Sequence, residues 1–100
     1  MPLREIQRLV DHGQYRYSQK IEDLIEDGAF DADDLEHCIL SAQSIYKRER
    51  DELGNAIDGM KYAILGRDTH GRQFYTVGKM LRAQRGRLYF FITAHQAYRS

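Results

Sequence analysis

Arg87-Leu88-Tyr89-Phe90-Phe91-Ile92-Thr93 is the stretch whose reading decides how this chain folds. Its centre, Leu88 to Ile92, is the longest wholly apolar run in 100 residues. Aromatic and β-branched residues bounded by turn signals predict a strand rather than a helix. Arg82 to Gly86 links this strand to another over 73–80, and Asp68-Thr69-His70-Gly71 links that one to a strand over 60–66. A loop at 51–59, with Gly54-Asn55 and Asp58-Gly59, leads back to a first strand over 44–50. Links this short favour antiparallel neighbours, so the second half of the chain predicts a four-stranded antiparallel meander.

Before about residue 43 the period is helical. Pro2 stands where a first turn tolerates it, Leu3, Ile6, Leu9 and Val10 make an apolar stripe, and Gly13 marks a stop. Ser18 can cap a second helix with Ile21, Leu24 and Ile25 on one side and Gly28 at its end. Asp31-Ala32-Asp33-Asp34 opens a third, carrying Leu35, Cys38, Ile39 and Ala42. Helices followed by an antiparallel sheet predict one α+β domain over residues 1–100, with two or three helices on one sheet face. Strict alternation sends Leu88, Phe90 and Ile92 toward the helices and Arg87, Tyr89, Phe91, Thr93 and His95 to the other face. In the preceding strand Phe74 with Met80 and Tyr75 with Val77 are comparable apolar sets, which leaves its sidedness open.

Fifteen Lys/Arg balance fifteen Asp/Glu, but not along the chain. Residues 1–60 hold seven cations against fourteen acids, and residues 61–100 hold eight cations against Asp68 alone. Opposite halves suggest two surfaces of opposite potential, or halves that neutralise each other within one fold. The composition excludes disordered and collagen-like classes. Lone Cys38 excludes a disulfide framework and a cysteine-rich zinc site, and reads as a small buried apolar residue. The four histidines, at 12, 37, 70 and 95, have no metal-ligand spacing, so no metal or other cofactor is expected. With no membrane-length apolar run and no signal-type start, the expectation is a cytoplasmic protein that does not enter a membrane.

From about Tyr17 to His95 the chain resembles a bacterial domain family of unknown function (DUF4258) grouped with the RelE and BrnT toxins of toxin-antitoxin systems. The resemblance is carried by Tyr17-Ser18-Gln19-Lys20, Gly28, Asp33-Asp34-Leu35-Glu36, Ile45 to Asp51, Tyr62-Ala63-Ile64-Leu65-Gly66, Gly71-Arg72 and Phe91-Ile92-Thr93. Residues 1–13 lie outside it. Lys20 stands where the family often has His, and Thr93-Ala94-His95 ends the last strand where the family commonly has an aromatic after Thr. The resemblance implies a RelE-like fold, a metal-independent endoribonuclease silenced by an antitoxin encoded nearby, and RNA as substrate.

Cleavage by a 2′-hydroxyl needs a base, cations for the charge on phosphorus, and an acid for the leaving oxygen. The candidates are His95 as acid or base, Arg72 as phosphate clamp and Tyr75 for stacking or proton transfer. Arg67, Lys79, Arg82, Arg85, Arg87 and Tyr89 are the candidate RNA-binding residues. Each has a plainer reading. Cations flanking a hydrophobic strand act as gatekeepers, and tyrosines pack well in strands. The competing function is a non-catalytic interaction module on the same fold, with Tyr89 and Phe91 anchoring a protein partner or a second copy of the chain in a homodimer. A pI near 6.9 speaks for that alternative.

Overall fold

Most helix ends are satisfied locally, and the last carbonyls of the third helix accept from the Gln7 side chain of the first. The computed structural model describes residues 2–97. Helix α1 spans Pro2–Asp11, and after strand β1 (Tyr15–Tyr17) follow α2 (Gln19–Glu26) and α3 (Ala32–Ser41). Ser18 caps α2 by accepting the Ile21 N–H, and Asp31 with Asp34 forms a capping box at the start of α3. Both α1 and α2 end in Schellman turns, with Gly13 and Gly28 at φ +72° and +81°, where a side chain would be strained.

Strands β2 (Lys47–Arg50), β3 (Met60–Arg67), β4 (Gln73–Ala83) and β5 (Gly86–Gln96) complete an α+β fold. The sheet has five strands in the order β1-β5-β4-β3-β2. This corrects the four-stranded antiparallel meander. Tyr15–Tyr17 pairs parallel with β5, Tyr15 opposite Tyr89 and Tyr17 opposite Phe91, which makes the sheet mixed. The β2 to β5 part is the expected antiparallel run.

Which residues of β5 point inward is also reversed. Tyr89 and Phe91 are fully buried against the helices, whereas Leu88, Phe90 and Ile92 are half-buried on the opposite face. Further along, the register passes from Gly78 opposite Phe91 to Val77 opposite Thr93, so Ile92 is an extra residue in a β-bulge. Beyond it the inward residue is Ala94, and His95 stands opposite Tyr75.

One core joins Ile6, Leu9 and Val10 of α1, Ile21 of α2, and Leu35, Cys38 and Ile39 of α3 to the inner sheet face. Two glycines let the layers meet. Gly66 lies under the Cys38 carbonyl of α3, and Gly78 lies under the Tyr89 ring. Among the described residues no helix is long and apolar enough to cross a membrane.

Candidate functional site

The candidate residues do not form one site. Tyr75 and His95 are Cα partners on adjacent strands with ring centroids 4.7 Å apart. His95 is exposed, and Tyr46 approaches the other side of Tyr75 edge-on at 6.5 Å. Arg72 is at the same end of the sheet, in the turn before β4. Its guanidinium pairs with Asp68 (Nε to Oδ2, 3.4 Å). Arg67 ends β3 and donates to the Gly71 carbonyl at 2.8 Å.

That turn is built on two buried carboxylates. Asp68 accepts the His70 and Arg72 N–H groups, both at 2.9 Å. Asp34, from the first turn of α3, accepts the Thr69 N–H and hydroxyl at 2.9 and 2.8 Å and the Asp31 N–H at 2.9 Å. Burial alone would raise the Asp34 carboxyl, but these donors outweigh it and hold the group below its ordinary 3.8. The Arg72 end of the sheet is therefore fixed to α3.

Lys79 is buried. Its ammonium lies 3.2 and 3.3 Å from the two Asp51 oxygens, in the segment between β2 and β3. Asp51 also accepts the Asn55 and Ala56 N–H groups, and these contacts hold its carboxyl low although burial opposes them. Lys79 is thus neutralised by the chain itself, which corrects its assignment to RNA. The same holds for Tyr89, which is 0 % exposed inside the core and has no ring face to offer a base.

Because Asp34 and Asp51 bind protons less readily folded than unfolded, the stability they add is complete above their ordinary value near 3.8. It is lost as pH falls through their lower folded values. Urea midpoints are expected to hold steady down to about pH 5 and to fall below about pH 4. Asp34→Asn is expected to lower the midpoint at neutral pH and to approach the parent in acid. An equal gap at both pH values would show that the Asp34 charge contributes nothing.

Arg82, Arg85 and Arg87 gather at the other end. From the Tyr75 row to the Arg82 row is seven residues of β4, roughly 23 Å at the usual strand rise. Arg87 faces the helix side, where it pairs with Glu5 of α1 at 2.7 Å. No single reacting phosphate can touch both groups of cations. Cys38 is inside the core, its thiol pushed up to about 11 by burial, with Thr76 opposing. Among the described residues no three His, Cys, Asp or Glu side chains converge as a metal site requires.

Periodicity missed the apolar character of the outer sheet face. Leu65, Val77, Leu81, Leu88, Phe90 and Ile92 are half-buried there over β3, β4 and β5, and the segment from Asp51 to Leu53 lies over its middle, where Asp51 pairs with Lys79 and a cleft opens toward Phe90 and Ile92. Arg16, Lys61, Arg67 and the Lys47–Glu49 ion pair (3.2 Å) stand around these apolar residues on the same face. On the helix layer the exposed side chains include Glu22, Asp23, Glu26, Asp27, Asp31 and Asp33. The chain matches no family model, no curated protein and no solved structure.

Proposed function

We propose that this chain is a protein-interaction module that docks a partner on the outer sheet face. One observation carries the reading: Leu88, Phe90 and Ile92 make an apolar row along β5, flanked by Leu81 and Val77 of β4 and Leu65 of β3, on the sheet face that no helix of the described residues covers. Aliphatic rows fit a protein surface better than RNA, whose bases seek rings and whose phosphates seek free cations. Arg16, Lys61 and Arg67 on the rim favour a partner whose apolar stripe carries carboxylates at its border, while Lys47 is already paired with Glu49.

The test is co-expression with the products of adjacent genes, followed by titration of the purified pair. Phe90→Asp is expected to weaken docking at least about 30-fold, the size of a central hot spot, and Leu81→Glu to act likewise. Unchanged affinity in both would sink the reading. Self-association lost in Phe90→Asp would make the partner a second copy.

The second reading is a toxin-like, metal-independent endoribonuclease with an antitoxin as partner. It is favoured by the Tyr75–His95 ring pair beside Arg72, which puts a proton carrier and a cation at one end of the sheet. Growth arrest on expression alone, lost in His95→Ala and relieved by a neighbouring gene product, would select it.

A further inference from the structure

We infer that the opposite end of the sheet, where the β4–β5 turn meets α1 and β1, is a binding site for a phosphate ester of about nucleotide size. The site shares only Leu88 and the rim residue Arg16 with the docking face, so the proposal goes beyond that reading.

Two adjoining clefts flank the turn, with volumes of about 450 and 430 Å³. They share Gln14, Arg85 and Arg87. Arg8 lines the first cleft, on the helix side, and Arg16 the second, toward the outer sheet face, so each cleft holds three guanidinium groups and Arg85 and Arg87 are common to both. The only carboxylate in either lining is Glu5, and Arg87 already engages it at 2.7 Å. Arg82 stands directly opposite Arg87 in the ladder, a like-charge pairing that disfavours the sheet. Among the described residues the Arg8, Arg82 and Arg85 side chains have no hydrogen-bond or ion-pair partner, and the Arg16 guanidinium reaches only the Tyr15 carbonyl at 3.4 Å.

Gatekeeping explains arginines that flank a hydrophobic strand, and a basic last turn suits the C-terminal end of α1. Neither explains why Arg8 and Arg85 line one cleft. A phosphate dianion would relieve the repulsion, and the planar guanidinium fork matches its oxygens better than it matches a single carbonyl. Ala83 and Leu88 supply an apolar wall in the second cleft for the base or sugar. The shared chemistry is a phosphate ester, presented either by a free nucleotide or by an RNA strand.

The experiment titrates the whole chain with inorganic pyrophosphate, adenosine diphosphate and a single-stranded oligoribonucleotide. Thermal midpoint and anisotropy are the readouts. Pyrophosphate and the diphosphate are expected to raise the midpoint by mass action. Arg8→Ala and Arg85→Ala are each expected to weaken binding about tenfold, as for loss of one charge-assisted contact. Both side chains are exposed, so the fold survives their removal. Lys47→Ala, on the far edge strand, and Phe90→Asp, on the docking face, are expected to leave the phosphate response unchanged. Displacement of the diphosphate by the oligoribonucleotide, with a steep salt dependence, assigns the site to a strand, and failure to displace assigns it to a free nucleotide. No midpoint shift with pyrophosphate or the diphosphate overturns the proposal. So does a Lys47→Ala variant as impaired as Arg85→Ala.

Discussion

Replacing Gly66 by alanine is expected to remove about 3 kcal/mol or more of stability, because the new methyl group meets main chain and not a movable side chain. A Cβ at this position would lie 2.0 Å from the Cys38 carbonyl oxygen and 2.8 Å from its carbonyl carbon. Relief requires α3 to lift from β3. That helix is held at its start by the Asp34 contacts to Thr69, midway by His37 Nδ1 at 2.9 Å from the Arg67 carbonyl, and at its end by Ser41, whose Oγ accepts the Arg67 N–H at 2.9 Å. At about 4–8 °C per kcal/mol for a domain of this size, the thermal midpoint should fall by roughly 15 °C. Gly54→Ala is the matched control. Gly54 has φ +75° but nothing near its Cβ position, so only the backbone strain, about 1 kcal/mol, applies. Equal losses in the two variants, measured by urea denaturation, would mean that α3 is not seated on β3 as described.

The elements whose signals are local were legible in the sequence. Ser18, Asp31, Gly13 and Gly28 act on their own neighbours, and the three helices stand within a residue or two of their predicted limits. Strands β3, β4 and β5 follow from their turns. What failed depends on distant partners. Tyr15–Tyr17 is too short to declare itself, and it becomes a strand only because Gln14 and Ser18 bond to Tyr89 and Phe91. In β5 every position from Leu88 to Ile92 is apolar, so alternation carries no information about which side is core, and the bulge at Ile92 shifts the phase again. Lys79 illustrates the limit for function. Its sequence neighbours suggest a phosphate contact, whereas the deciding fact is Asp51, 28 positions away. The 73–80 and 87–93 strands were legible as a hairpin, but the pairing of Tyr75 with His95 was not, because it depends on the register beyond the bulge at Ile92.

Tyr89 offers the second large effect, with opposite signs at one position. The ring packs edge-on against Phe91 at 5.1 Å and covers Gly78, where an added Cβ would come within 2.5 Å of it. Tyr89→Ala empties that space and is expected to destabilise the domain by about 3–5 kcal/mol. The hydroxyl, by contrast, is buried with no hydrogen-bond partner among the described residues. Burial drives its pKa far upward, so it remains a protonated donor without an acceptor. Tyr89→Phe removes the unpaired group and is expected to raise stability by about 1 kcal/mol, read as a higher urea midpoint at unchanged slope. A base-stacking tyrosine on an open sheet would behave otherwise: its alanine variant would remain folded and its phenylalanine variant would be neutral. A lower midpoint for Tyr89→Phe would show that the hydroxyl has a partner. Because Tyr89 and Phe91 fill the inner face, Phe90 and Ile92 have to lie on the outer one, so the stabilised Tyr89→Phe protein should dock its partner as the parent does while Phe90→Asp does not.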